Sequence, residues 1–220
     1  MRRRFRYPAV LAVLIIALSI SACGDKSEET GNDSDKAWAD RYVALIQSGE
    51  ARDYEDYDNM KKELDRVKEE SGATYAYILS PMANGKPALD GDPSKDFAIT
   101  VDAGDEPDDW GVTYEWEIQF KEAWDGDPAT ARSAWDDSEE LQCWSAFAPV
   151  YDSEDNVVCI LGIDYPCTDV IADYPEWNRD HPEWNGYETE ITGEIPAAVQ
   201  TQINEVKTLA DKYAKELSAK

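Results

Sequence analysis

Hydrophobic residues along this chain follow two different spacings, and the change occurs near residue 72. Apolar residues recur at helical spacing over 38–46 and again over 57–67, and Ser71-Gly72 ends the second pattern. The apolar segments that follow are short and rich in aromatic and branched residues, which is typical of strands. They cover 74–79, 97–101, 144–151 and 157–164, and the last two flank Ser153-Glu154-Asp155-Asn156. We therefore predict helices first and then a sheet that ends in a β-hairpin.

Two more helices are predicted outside these segments. Residues 110–124 combine a short strand with a helix that stops at Asp125-Gly126. Residues 194–220 carry an apolar stripe that predicts an amphipathic helix, which packs on the domain or pairs with the N-terminal helix. Its members are Val199, Val206, Ala210, Tyr213 and Leu217. The expected fold class is α+β.

The N-terminus has the order of an export signal. Arg2, Arg3, Arg4 and Arg6 precede an apolar run over 9–20, and Ile20-Ser21-Ala22-Cys23 follows. This tetrapeptide resembles the lipobox of bacterial lipoproteins, although an ordinary signal peptide with a chance cysteine is the alternative. The resemblance implies a signal peptide over 1–22, lipidation of Cys23 with diacylglyceryl and palmitate-type chains, and anchoring to the cell membrane on its extracytoplasmic side. Residues 23–36 are polar and predict a flexible tether.

Acidic residues dominate the composition, with 47 Asp and Glu against 21 Lys and Arg and a net charge of −26. Loss of residues 1–22 would remove four arginines and no acids, which leaves −30. Such a charge repels nucleic acid and favours cations. Acidic runs over 102–109 and 136–140 supply oxygen ligands, but neither has the spacing of a calcium loop. We predict that they are solvated and that no metal or cofactor is held.

Three cysteines remain after Cys23. An exported protein can form disulfides, and the odd count leaves one thiol unpaired. Cys159 lies inside the predicted buried strand, whereas Cys143 and Cys167 lie at the outer ends of the two hairpin strands. We therefore predict a disulfide between Cys143 and Cys167.

Several segments resemble the Cache (PDC) sensor family in order and spacing. They are Tyr75-Ala76-Tyr77-Ile78-Leu79, Phe97-Ala98-Ile99-Thr100-Val101-Asp102-Ala103, Lys121-Glu122-Ala123-Trp124-Asp125-Gly126, and the run from Trp144 to Asp152 that continues through 157–164. The resemblance covers roughly 37–172 and implies a PAS-like antiparallel sheet with a long N-terminal helix packed on it. It also implies a small-molecule site outside the membrane, between the sheet and the loops before the hairpin.

The same resemblance implies which polar and aromatic residues would contact the ligand. Asp164 ends an apolar strand, and in amino-acid-sensing relatives an aspartate at this strand end meets the ligand ammonium; capping of the following turn is the alternative. Asp102 ends the second strand in the same way. Aromatic residues near the expected pocket suit an amine or amino acid, although core packing would also explain each of them. The predicted ligand-binding residues are Tyr77, Asp102, Trp110, Tyr114, Trp116, Trp144 and Asp164.

The segment 173–193 contains Pro-Glu-Trp-Asn twice, around Trp177 and Trp184. These indoles either face outward to bind glycan or a partner, or fix an irregular loop to the domain. His181 is the only histidine and has no nearby nucleophile, so no enzyme is predicted. The sequence favours a ligand-binding lipoprotein that acts as a sensing accessory to a membrane receptor or kinase. A surface lipoprotein that binds envelope glycan is the alternative.

Overall fold

The computed structural model describes residues 36–114, 116–131, 134–138, 140–178 and 195–218. Contacts within the chain divide it into Met1–Gly31 and Asn32–Lys220, and every described residue belongs to the second unit. The predicted signal peptide, Cys23 and nearly all of the predicted tether lie outside the described residues. His181 and Trp184 lie outside them as well.

The described chain forms five α-helices, eight strands and two short 3-10 turns. The helices are α1 (Trp38–Ser48), α2 (Tyr57–Ser71), α3 (Ile118–Trp124), α4 (Thr168–Asp173) and α5 (Ala197–Ser218). The strands are β1 (Tyr75–Ala83), β2 (Lys86–Pro87), β3 (Phe97–Asp102), β4 (Thr113–Tyr114), β5 (Ala129–Thr130), β6 (Trp135–Ser138), β7 (Leu141–Tyr151) and β8 (Val157–Pro166). The turns are Ala51–Asp53 and Pro175–Trp177.

The strands form one antiparallel sheet in the order β4-β3-β1-β8-β7-β5, with β2 paired to β1 and β6 paired to β7. The long strands β7 and β8 form the predicted hairpin at its centre. The α+β class and the antiparallel sheet with packed helices are therefore confirmed.

The Cache resemblance implied one long N-terminal helix, whereas the structure has two helices there, α1 and α2, in the regions where the helical spacing occurs twice. Gly49 has a φ of 69° and ends α1, and a 3-10 turn then leads into α2. A left-handed residue at this position interrupts the hydrogen-bond ladder, so the chain turns instead of extending the first helix. Buried Arg41 joins the two helices, because its guanidinium contacts both Asp56, at 2.7 Å, and Glu63.

Side chains from the two faces of the sheet enter two different apolar clusters. Ile78, Leu161 and Ile163 pack on the helix side, where α1, α2 and α5 bury them. The intervening positions, including Leu79 and Ile160, pack on the opposite side with α3. This alternation along each strand decides which residues can reach a site on the α3 side.

The C-terminal helix α5 lies on the helix side of the sheet and buries the predicted apolar stripe. It packs chiefly against β7, with smaller contacts to β8 and α1. Glu216 accepts a hydrogen bond from Arg66 of α2 at 3.3 Å, and Ser218 accepts one from the backbone N–H of Tyr151 at 2.9 Å. Of the two predicted arrangements, packing on the domain predominates.

The predicted disulfide between Cys143 and Cys167 is not formed, because both are free thiols in the structure. Cys143 lies opposite Pro166 in the hairpin register, and its thiol is 3.6 Å from Thr74 Oγ1. Cys167 follows one residue later and packs into the helix-side cluster. The two side chains therefore lie on opposite faces of the sheet, which strand position alone did not show.

Candidate functional site

A cavity of about 450 Å³ opens on the α3 side of the sheet, near the end formed by β1, β3 and β8. Four aromatic residues form much of its wall, namely Tyr75, Tyr77, Tyr114 and Trp135. The polar lining consists of Lys68, Asp102, Asp105, Glu106, Asp108, Asp137 and Asp164. Its size lies within the range of small-molecule pockets.

Tyr77 is held at the inner end of this cavity by the glycine opposite it. Gly162 pairs with Tyr77 across β1 and β8, and a Cβ placed on Gly162 would lie 2.7 Å from Tyr77 Cζ. The Tyr77 ring therefore lies directly over Gly162, and any larger residue at position 162 would occupy the space of the ring. It also stacks on Tyr114, with ring centroids 5.6 Å apart.

Asp164 lies beside this ring and is only 3% exposed. Tyr77 donates a hydrogen bond from Oη to Asp164 Oδ1 at 3.1 Å. Burial raises the pKa of Tyr77 well above its usual value, and the Asp164 charge adds to the effect. The phenol therefore stays protonated and remains a donor to the carboxylate. A buried carboxylate with an aromatic neighbour is a suitable partner for a cation.

A second aromatic pair forms the outer wall. Tyr75 stacks on Trp135 with ring centroids 6.4 Å apart, and 37% of Tyr75 is exposed. Tyr75 donates to Asp137 Oδ1 at 3.0 Å, and Trp135 donates to Ser145 Oγ at 3.0 Å. The hydrogen bond to Asp137 raises the pKa of Tyr75. These contacts fix both rings at the entrance of the cavity.

The acidic loop after β3 forms the third side of the cavity. Asp102 accepts a hydrogen bond from the N–H of Asp108 at 2.8 Å, and Gly104 donates its N–H to Asp65 of α2 at 2.8 Å. Arg52 donates to the carbonyl oxygen of Asp108. Burial raises the pKa of Asp102, against the opposing effect of the Asp108 N–H. The loop is thus fastened to the helix layer while its carboxylates line the cavity.

Four of the seven predicted ligand-binding residues line this cavity: Tyr77, Asp102, Tyr114 and Asp164. Trp144 does not, because it occupies an alternate position on β7 and is buried on the helix side, where it donates to the Ala131 carbonyl at 2.8 Å. Trp110 packs on the helix-side cluster against Tyr57. Trp116 packs on the α3-side cluster and donates to the Pro93 carbonyl at 3.2 Å.

Sequence reasoning missed Lys68, Tyr75, Trp135 and Asp137. Tyr75 could have been found, because it lies two residues before Tyr77 and therefore faces the same side of β1. Trp135 and Asp137 belong to β6, whose Trp-Asp-Asp-Ser sequence has little strand character. Lys68 reaches the cavity from the last turn of α2, and no local pattern indicates that contact.

Trp177 is buried, with 5% of its surface exposed. Its carbonyl oxygen accepts the N–H of Ala134 at 2.9 Å, and Asn178 donates to Asp136 at 2.6 Å. The first Pro-Glu-Trp-Asn unit thus fastens the chain beside β6 and does not present its indole to solvent. Trp184, in the second unit, lies outside the described residues.

Among the described parts of 36–178 and 195–218, no group of three or more His, Cys, Asp or Glu side chains is arranged to hold a metal ion. None of the helices in these same ranges combines the length and apolar character needed to cross a bilayer.

No known family profile matches the sequence, and no curated protein is detectably similar to it. Weak overlaps exist with solved structures. A nitrate-binding-site mutant of NreA from Staphylococcus aureus aligns with 55% of this chain and 97% of its own, at 14% identity and a TM-score of 0.35. A GAF sensor protein from Burkholderia vietnamiensis aligns with 83% and 93%, at 8% identity and a TM-score of 0.34.

A third overlap is with the phycoerythrobilin-bound GAF domain of a cyanobacterial phytochrome. It covers 81% of this chain and 95% of that domain, at 11% identity and a TM-score of 0.33. These overlaps assign neither a family nor a ligand to the chain.

Proposed function

We propose that this protein is a lipid-anchored, extracytoplasmic sensor accessory whose Cache-like domain binds a small amine or amino acid. The observation that carries the proposal is the convergence of buried Asp164, two aromatic pairs and an acidic loop on one cavity. Ring faces attract cations, and partly desolvated carboxylates strengthen that attraction. The proposal includes no catalytic step.

The positive charge of the ligand would lie beside the Asp164 carboxylate, next to the Tyr77 hydroxyl that donates to it. Asp164 already accepts one hydrogen bond from Tyr77, which orients its carboxylate. An ammonium group beside a desolvated carboxylate forms a charge-assisted hydrogen bond, so it would add a favourable interaction at that position. The apolar part of the ligand would rest against Tyr75 and Trp135.

The test of the site is Asp164→Asn, because asparagine keeps the acceptor for Tyr77 and removes only the charge. A panel of amines and amino acids is screened by thermal shift on the wild-type domain. At 100 times its Kd a ligand stabilises by about 2.7 kcal/mol, or about 5–11 °C for a domain of this size. Asp164→Asn should lose this shift, whereas Asp173→Asn, an exposed change on α4, should keep it.

Two results would reject the amine proposal. One is a wild-type protein that binds no member of the panel. The other is an Asp164→Asn protein that binds with wild-type affinity.

The anchor is tested separately from the site. Cys23→Ser should release the protein into the soluble fraction or leave an uncleaved precursor, because the proposal assigns membrane attachment to the lipid alone. Processed Cys23→Ser protein that still requires detergent would contradict the lipid anchor. It would leave the ligand site unaffected.

A further inference from the structure

Lys68 contributes the one cationic side chain among the described residues that line the cavity. It extends from the last turn of α2. Its ammonium is 5.8 Å from the ring centroid of Tyr75 and 3.3 Å from where a Cβ on Gly104 would lie. The charge is therefore placed between the outer aromatic pair and the acidic loop.

The Lys68 ammonium is held in a different way from the neighbouring cations of α2. Lys61 pairs with Asp65 at 3.0 Å, and Arg66 pairs with Glu70 at 2.8 Å. Lys68 has a cation–π contact to Tyr75 but no ion pair with any described carboxylate. Such a contact contributes only about 0.5–1 kcal/mol at a partly exposed site. The ammonium is thus held mainly by the general negative field of the cavity.

We propose that Lys68 sets the charge selectivity of the cavity, as a built-in cation that occupies its outer half. The inference rests on the amine-binding function proposed above. With Lys68 in place, a ligand would find one position for positive charge, at Asp164. Without it, the carboxylates of Asp102 and the acidic loop would offer a second position, and ligands with two ammonium groups would be favoured.

Anchoring of a ligand carboxylate is the other role that a lysine here could have. The surroundings argue against it, because an incoming carboxylate would approach Asp102, Asp105 and Glu106 on the same side of the cavity. These three carboxylates would repel the ligand carboxylate, which opposes its attraction to the single lysine. A ligand ammonium at Asp164 meets no such repulsion.

The test compares Lys68→Met with wild type by calorimetry at fixed low salt. Methionine keeps much of the side-chain volume and removes the charge. The probes are butylamine, diaminoalkanes of about three to six carbons that suit a pocket of this size, and an α-amino acid. We expect the Lys68→Met protein to bind the best diamine at least about tenfold more tightly than wild type, with a much smaller change for butylamine. Lys68→Arg and Lys62→Met, an exposed lysine of the same helix, should retain wild-type selectivity.

Three outcomes would overturn the inference about Lys68. One is unchanged diamine selectivity in Lys68→Met. Another is a selective loss of amino-acid binding in this variant with butylamine unaffected, which would identify a carboxylate anchor. The third is the same selectivity change in Lys62→Met. Failure of the proposed function is distinct, because then wild type and every variant would bind none of the probes, and the inference would fail with it.

Discussion

Gly162→Ala is the most direct perturbation of the arrangement at the inner end of the cavity. The new methyl group would meet Cζ of Tyr77 at 2.7 Å and Cδ2 at 2.9 Å, well inside van der Waals contact. The backbone at Gly162 belongs to the central strand β8, which is paired on both sides, so the strand cannot move away easily. The Tyr77 ring must therefore be displaced.

The expected cost follows from two terms. Forcing an extra methyl group into a packed site costs about 1–3 kcal/mol. Displacing the ring also weakens the Tyr77 hydrogen bond to Asp164, and a hydrogen bond to a charged group contributes about 1.5–3 kcal/mol. We expect a loss of at least about 2 kcal/mol, which lowers Tm by about 4–8 °C in a domain of this size. Affinity for a cationic ligand should fall as well.

A double-mutant cycle with Tyr77→Val separates this contact from a general effect of alanine in the strand. Valine lacks the ring atoms that a methyl group on residue 162 would meet. In the Tyr77→Val background, Gly162→Ala should cost nothing, or should stabilise by about 0.4–1 kcal/mol through the unfolded state. Urea unfolding measures all four proteins, with unchanged slopes as the check that only stability differs.

The reasoning would be refuted by equal costs of Gly162→Ala in the two backgrounds. Such additivity would mean that Tyr77 does not occupy the space over Gly162. A cost below about 0.5 kcal/mol in wild type would have the same meaning, because surface-like substitutions fall in that range.

Two further predictions concern sulfur and pH. The thiols of Cys143, Cys159 and Cys167 should react with a thiol reagent only after unfolding, because burial raises the pKa of Cys143 to about 11, that of Cys167 to about 12, and that of Cys159 well above its usual value. A disulfide between them in the native protein under non-reducing conditions would contradict this. Amine binding should weaken as pH falls, beginning above the usual aspartate value of about 4, because the raised pKa of Asp102 causes it to lose its charge early. Asp102→Asn should abolish that early part of the pH profile. The folding stability of the unliganded protein depends on pH in the opposite direction. Asp102 contributes stability at pH values below its ordinary pKa, and this contribution is lost as the pH rises through its raised pKa in the folded protein.

The sequence predicted most of the fold where the signal was local. Gly72 has a φ of 72° and ends α2 at the residue expected, and the hairpin strands contain the predicted ones and extend past them. Strand β8 continues to Pro166 because it pairs with β7 through Cys143, and that pairing is not visible in its own composition. The short strands β5 and β6 depend in the same way on β7 as a template.

The candidate site was only partly predictable, and two of the differences concern the face of the sheet that a residue enters. Trp144 was predicted as an aromatic residue near the expected pocket and Cys167 from its position at a strand end, in both cases without deciding which face of the sheet the side chain enters. A shift of one residue along a strand reverses the face. The α3 side therefore receives Ser145 and Cys143, whereas Trp144 and Cys167 enter the helix-side core. Lys68 could not be found locally, because its place in the cavity depends on how α2 packs across the sheet.

The joint between α2 and β1 connects the cavity with the helix layer. The backbone N–H of Thr74, just after α2, donates to the carbonyl oxygen of Asp164 at 2.8 Å. Lys68 lies in the last turn of the same helix, and Ile163, next to Asp164, packs against the helices. A ligand that binds Asp164 would therefore act on the strand side of this joint, beside Lys68 on its helix side.

Amide hydrogen exchange can measure whether a ligand at Asp164 affects the joint between α2 and β1. Saturation with an amine should slow amide exchange over 68–76, because ligand contacts at Asp164 stabilise the strand to which Thr74 is bonded. The change should be absent in Asp164→Asn, which lacks the proposed ligand charge partner. The middle of α5 should change less, since it packs on β7 and not on the joint. Equal protection throughout α5 and 68–76 would indicate general stabilisation on binding, and the α2–β1 joint would then have no particular role in the response to the ligand.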